Sequence, residues 1–181
     1  MSRTPALVLC ALALLAGGCE RPGPRGAPGV YPGAVRVTVS RIQFDDGDTF
    51  YLDGRPVRVL GIDTPETKSP DVGIPFDQPF GPAAAESTRA LVTRAGVVHV
   101  VYDGDDIYGR RLAHVFVDDE LLGVRLIEMG LAYENVSHFG DNGFPDLADR
   151  ILDAASRAPR PRFEEPYKWR RKNQAKRQGS G

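Results

Sequence analysis

The sequence predicts an α+β domain dominated by β-structure: an OB-fold, five-stranded barrel capped by three helices in the order β-β-β-α-β-β-α-α. Three observations carry this. Short runs rich in β-branched and aromatic residues recur between turn dipeptides, and helix-type periodicity first enters after the third run. Two of the three helical stretches also open on proline, a residue favoured in the first helical turn. Five short strands with a helix after the third suit a small barrel, one of the few ways such strands avoid open edges.

In chain order, Val35, Val37 and Val39 alternate with polar partners, giving a first strand. The turn pairs Asp46-Gly47 and Asp53-Gly54 separate it from Thr49-Phe50-Tyr51-Leu52 and Val57-Arg58-Val59-Leu60, a three-strand meander. A helix opens at Gly81-Pro82, turns Thr88, Leu91, Val92 and Ala95 to one side, and ends at Gly96. Strand-like runs follow at residues 97–102 and 112–117, then a second helix over 121–129 that stops at Gly130. The third helix starts at Pro145 with Asp146 in its first turn, directs Leu147, Ile151, Leu152 and Ala155 inward, and ends before Pro159. Residues 34–158 thus form one ordinary domain, large enough for its own core.

The flanks differ in composition. Arg3, the apolar residues 6–15 and the small residues Ala16-Gly17-Gly18 follow the grammar of an export signal, too short for a permanent membrane span. The chain has two cysteines, and removing residues 1–18 removes Cys10, which leaves Cys19 with no disulfide partner. Cys19, after Leu15-Ala16-Gly17-Gly18, resembles the lipidated cysteine of bacterial lipoproteins, with Ala16 where leucine is more usual. The expectation is therefore an exported chain, lipid-anchored at Cys19 and facing the periplasm or the cell exterior; ordinary signal cleavage would instead release it soluble. Residues 20–33 are a Pro/Gly-rich spacer unable to bury enough apolar surface to order itself.

Charge is unevenly spread. The net formal charge is −1, but residues 160–181 carry +6 and residues 19–159 carry −8. An acidic body excludes a protein that coats nucleic acid by bulk charge, so any phosphate must be met at a local site. The basic run Lys168-Trp169-Arg170-Arg171-Lys172 reads either as a solvated terminus with Trp169 packed on the barrel or as a second contact for nucleic acid or anionic lipid. His99 and His114 sit in strand runs without the paired spacing of metal ligands, and His138 likewise reads as structural.

Chemistry concentrates in three clusters: Asp45-Asp46-Gly47-Asp48-Thr49, then Arg58 through Asp63-Thr64-Pro65-Glu66, then Asp106-Ile107-Tyr108-Gly109-Arg110. Each alone has an ordinary structural reading as a hairpin turn, an Asx-turn or an exposed loop. Together they supply what phosphodiester cleavage needs. Asp48 and Asp63 are hard oxygen ligands suited to Ca²⁺ or Mg²⁺. Arg58 and Arg110 each present a rigid two-pronged donor to phosphate oxygens, and Glu66 is a candidate general base toward water.

These clusters, with Phe80-Gly81-Pro82 and Leu112-Ala113, resemble the staphylococcal nuclease (thermonuclease) family over about residues 35–151. The resemblance implies that Asp48, Asp63 and the Thr64 carbonyl hold Ca²⁺, and that Arg58 and Arg110 bind the scissile phosphate. It further implies that Glu66 acts on the attacking water, that Tyr108 lines the nucleotide pocket, and that DNA and RNA are cut to 3′-phosphate and 5′-hydroxyl ends. Intact acidic ligands, Glu66 and both arginines set this chain apart from non-catalytic modules of the fold, which bind nucleic acid or a partner protein. Residues 68–79 are longer and richer in proline than the family pattern. Residues 134–143 offer Val136, His138 and Phe139 where relatives often carry base-stacking tyrosines. A monomer with no obligate protein partner is expected.

Overall fold

The computed structural model describes residues 31–173; the predicted signal segment, Cys19 and most of the spacer lie outside the described residues. The chain runs through strands β1 (Val35–Val37), β2 (Ile42–Phe44), β3 (Thr49–Leu52), β4 (Arg55–Val59) and β5 (Ile62–Asp63), then helix α1 (Gly81–Arg94). Strands β6 (Val98–Asp105), β7 (Arg111–Val117) and β8 (Glu120–Leu121) lead into α2 (Leu122–Glu128). The short β9 (Tyr133–Glu134), α3 (Val136–Phe139), α4 (Pro145–Arg157) and α5 (Pro166–Asn173) complete the described fold.

The main sheet has the order β1-β6-β7-β4-β3-β2, with β8 on β7. The alternating valines 35, 37 and 39 predict one strand, but β1 stops at Val37: a 3-10 turn at Val39–Arg41 takes over, and β2 beyond it serves the opposite edge of the sheet. β1 pairs antiparallel with β6, and β2 pairs antiparallel with β3. One stretch of chain therefore spans both edges of a curled sheet, which is the half-barrel expected of an OB-type α+β fold. The β3–β4 hairpin turns on Asp53 and Gly54, with φ of 53° and 77°. Positive φ at both central residues is what a type I′ turn demands, and its twist matches that of the strands.

The core lies between the concave sheet and the helices, built from Phe50, Val57, Val100, Val115, Leu126, Leu147 and their neighbours. α1 buries Ala84, Thr88 and Val92, and α4 buries Leu147, Ala148, Ile151 and Ala154, the spacing of one helical face. His114 joins this core edge-on to Phe144 (5.2 Å between rings), and burial lowers its pKa to about 4. Among the described residues there are five α-helices where three are predicted. The additional ones are the one-turn α3 and α5, whose basic composition hides an apolar face. Among the described residues no helix is long and apolar enough to cross a membrane.

Candidate active site

Two strand pairings assemble the site. In the β3–β4 register Thr49 lies opposite Arg58, so Asp48, one residue before β3, falls beside the Arg58 side chain. β4 also pairs parallel with β7, Arg58 opposite Leu112, which carries the loop ending at Arg110 to the same end of the sheet. Asp63 ends β5, which is held by β9 (Asp63 opposite Tyr133) and by Asn135, whose side chain donates to the Ile62 carbonyl at 2.9 Å.

The Asp45–Thr49 turn is tightly specified. Asp46 accepts from the backbone N–H of Asp48 (2.9 Å) and of Thr49 (2.6 Å), an Asx-type closure. A Cβ on Gly47 would stand 2.7 Å from Thr64 Oγ1 and 2.9 Å from the Ala84 side chain, so only glycine lets this turn press against α1 and the Thr64 loop. The Thr88 hydroxyl of α1 donates to the Gly47 carbonyl at 2.6 Å. The Glu66 loop is fixed by a second close approach: a Cβ on Gly81 would fall 2.0 Å from the Glu66 carbonyl oxygen. This backbone contact accounts for Gly81 at the opening of α1.

At the centre Arg58 donates one terminal nitrogen to Asp48 Oδ1 and the other to Asp63 Oδ1 (2.7 Å) and the Ile62 carbonyl (3.2 Å). A single guanidinium therefore spans both predicted ligand carboxylates. The second Asp48 oxygen accepts from the Thr64 backbone N–H at 2.6 Å. Asp48 and Thr64 are buried, and Arg58 keeps only 13% of its side-chain surface in solvent. Burial pushes the Asp63 carboxyl up, but the guanidiniums of Arg58 and Arg170 more than offset it and hold the group below the usual carboxylate range. Burial prevails at Glu66, which is raised despite the Arg170 charge, and burial likewise raises Asp46.

Arg110 stands across a cleft of about 520 Å³ that Arg58, Asp63, Arg110 and Arg170 all line. Asp106 orients it, accepting from the Arg110 backbone N–H (2.9 Å) and from its Nε (2.8 Å). Tyr108 is 71% exposed with the Arg110 guanidinium 5.7 Å from its ring centre, and it is outside the cleft lining. The aromatic side chains of that lining are instead Tyr133, His138, Phe139 and Tyr167. His138, predicted structural, is exposed and stacked edge-on to Phe139 at 4.6 Å.

The donors suit a hard divalent cation. Thr64 Oγ1 is buried without a hydrogen-bond partner, beside two buried carboxylates. Among the described residues no three or more His, Cys, Asp or Glu side chains gather closely enough to hold an ion by themselves. A cation bound here would therefore draw on a backbone carbonyl and water as well as Asp48 and Asp63, the mixed oxygen set that Ca²⁺ and Mg²⁺ accept.

Arg170 and Gln78 are the residues sequence reasoning missed. Arg170 donates to both oxygens of Asp63 (3.1 and 3.0 Å) and to Glu66 Oε1. Gln78, fully buried, accepts from the Glu66 backbone N–H at 3.2 Å and donates to the Glu164 carbonyl at 2.6 Å. The available signal for Arg170 was the tryptophan at position 169 within a basic run, a residue type that seeks burial.

A curled OB-type sheet with a carboxylate–guanidinium cleft at one end defines the class, and comparison with known proteins agrees. Residues 56–160 match the family described as staphylococcal nuclease homologue. The thermonuclease of Staphylococcus intermedius is 41% identical over 93 residues, covering 48% of this chain and 53% of that protein. The thermonuclease of Staphylococcus hyicus is 35% identical over 105 residues (55% and 60%), and endonuclease YncB of Bacillus subtilis is 40% identical over 105 residues (54% and 47%). The chain thus spans about half the length of the curated relatives it matches. It belongs to the staphylococcal nuclease family.

Proposed function

We propose that this protein is a nuclease that hydrolyses phosphodiester bonds of DNA and RNA with the help of Ca²⁺, leaving 3′-phosphate and 5′-hydroxyl ends. The observation that carries the reading is the single Arg58 guanidinium spanning Asp48 and Asp63, with Glu66 joined to the same cluster and Arg110 across the cleft. Membership of the family supports it, as do relatives named thermonuclease and endonuclease.

In this reading Asp48, Asp63 and the Thr64 carbonyl hold the cation, which supplies Lewis-acid charge stabilisation at the phosphate. Arg58 and Arg110 approach the phosphate from two elements and meet the negative charge that grows on its oxygens during in-line attack. Arg110 has a carboxylate from its own turn to aim it, so its fork is pre-set before substrate arrives. Glu66, partly screened from water, orients the attacking water or takes its proton. The exposed aromatic side chains of the cleft, Phe139 and Tyr167, offer faces on which bases stack without sequence preference.

The sequence signal at residues 1–19 extends the proposal to an exported protein, lipid-anchored through Cys19. Two acyl chains on that cysteine would give stable anchoring, since each buried CH₂ contributes about 0.8 kcal/mol. The direct test of activity is digestion of single-stranded DNA, plasmid and RNA in Ca²⁺, in Mg²⁺ and in chelator. Cleavage in Ca²⁺ that chelator abolishes supports the reading; binding without cleavage in every cation would replace it with a non-catalytic barrel.

A further inference from the structure

The C-terminal segment enters the site from far along the chain: Arg170 lies 107 residues from Asp63 and 104 from Glu66. Its docking rests on packing as well as charge. Phe163 is buried, its ring 5.7 Å from Phe80 and edge-on to Tyr133 at 5.3 Å, and its carbonyl accepts from the Tyr133 hydroxyl at 2.8 Å. Trp169 is 6% exposed and meets Phe76 edge-on at 5.5 Å. Pro166 and Trp169, three apart, form the buried face of α5. Tyr167 and Arg170, also three apart, line the cleft.

The segment reaches Glu66 twice. Arg170 bonds its carboxylate, and Gln78 links its backbone N–H to the Glu164 carbonyl. Arg170 also clamps Asp63 through both carboxylate oxygens, the two-pronged geometry in which a guanidinium fixes orientation as well as charge. Without Arg170, Arg58 alone would face the carboxylates of Asp48, Asp63 and Glu66, and buried acids left short of partners disfavour a fixed arrangement. Pro166, Tyr167 and Arg170 all contribute to the lining of the cleft.

We propose that Arg170 is a positioning residue of the active site: it holds the Glu66 and Asp63 carboxylates in register, making α5 one wall of the site. This rests on the nuclease reading and names a residue that reading does not require. Arg170 acts through the two carboxylates, so its loss misplaces Glu66 toward its water while leaving the phosphate donors Arg58 and Arg110 in place. A misplacement of about 1 Å is enough for losses on the order of 10²-fold in turnover.

The test compares full-length wild type, Arg170→Met and Arg170→Lys. It measures kcat and KM on a single-stranded oligonucleotide in saturating Ca²⁺, and Ca²⁺ affinity by calorimetry without substrate. Methionine keeps an unbranched apolar stem without the charge, and lysine keeps the charge without the fork. Expected are a kcat lower by about 10- to 100-fold in Arg170→Met with KM within about threefold, and an intermediate value in Arg170→Lys. Calcium affinity is expected to be unchanged or tighter, because a positive charge beside Asp63 has been removed.

Unchanged kcat in Arg170→Met overturns the proposal, and so does a rise in kcat with tighter Ca²⁺ binding, which would make α5 an inhibitory strap. Weaker Ca²⁺ binding that accounts for the whole loss also overturns it, by placing the effect on the cation rather than on Glu66. Should Arg170→Met fail to fold by circular dichroism, Arg170→Lys decides: wild-type kcat there overturns the proposal. A wild-type chain that cuts nothing in any cation sinks the nuclease reading itself, whereas active wild type with unaffected variants sinks only the role of Arg170.

Discussion

The two halves of the candidate site are built in different ways. Asp48, Arg58 and Arg110 stand on strands and tight turns of the main sheet, placed by the β3–β4 and β4–β7 registers, and Asp63 ends β5 of the small β5–β9 sheet beside them. Arg170 and its supports come from a helix of eight residues docked through Phe163, Pro166 and Trp169. The sheet half is locked by cross-strand hydrogen bonds and glycine-only approaches at Gly47 and Gly81. The helical half is a satellite, held by a few buried rings and one buried glutamine. The groups proposed to meet phosphate therefore sit on the more densely bonded element, and the residue proposed to position the carboxylates sits on the one more easily released.

Breaking the sheet half should have the largest effect. Arg58→Met removes a proposed phosphate donor and the bridge between Asp48 and Asp63, and kcat should fall on the order of 10²–10³-fold. Its melting temperature should also drop, because two buried carboxylates lose a partner. Steady-state kinetics and a thermal melt check both. Arg110→Ala should lower kcat by about 10²-fold with the melt nearly unchanged, since its partner Asp106 belongs to the same exposed turn. A large melt shift there would mean that Arg110 is structural.

The helical half should yield locally. Trp169→Ala empties the pocket against Phe76, a truncation worth about 3 kcal/mol in a well-packed site. The loss should appear as faster amide exchange confined to about residues 163–173, with β6 and β7 protected as in wild type. Global destabilisation instead would show that α5 and the barrel unfold as one unit.

The smallest effect concerns the core away from the site. His114 has a folded pKa of about 4, set first by burial, against about 6.5 in an unfolded chain. The unfolded state therefore takes up the proton first as pH falls. Stability is whole above about pH 6.5 and declines toward pH 4, by on the order of 1–3 kcal/mol. Denaturant midpoints measured from pH 7 to pH 4 should show the decline, and His114→Leu should flatten it. An unchanged slope in the variant would assign the acid sensitivity to other groups.

How much was legible follows the same division. The helices at Gly81, Leu122 and Pro145 and the strands around Phe50, Val57, Val100 and Val115 could be read because their signals are local: turn pairs, proline starts and apolar spacing. Asp48, Arg58, Asp63 and Glu66 could be singled out only in combination, since each cluster alone reads as a turn or loop, and the structure brings them together through Arg58 and Arg170. The turn at Val39–Arg41 was not legible, because the valine alternation runs on to Val39, its first residue, and only pairing of β1 and β2 with two different edges requires the turn. Arg170 was hidden because its partners are more than 100 residues away and its helix reads as a run of charge. Gln78 was hidden because a glutamine in a proline-rich loop gives no sign of burial. Tyr108, assigned to the pocket by family resemblance, is exposed beside Arg110, and Tyr133 and Tyr167 are aromatic side chains of the cleft that the sequence did not single out.

In the proposed reading the carboxylate–guanidinium cleft cuts nucleic acid with Glu66 acting on water. Nicking of covalently closed plasmid by wild type and Glu66→Gln, side by side in Ca²⁺ and in chelator, tests it most directly. Expected are nicking by wild type that chelator abolishes and a rate lower by about 10²–10⁴-fold in Glu66→Gln. Equal nicking by both proteins, persisting in chelator, would contradict it.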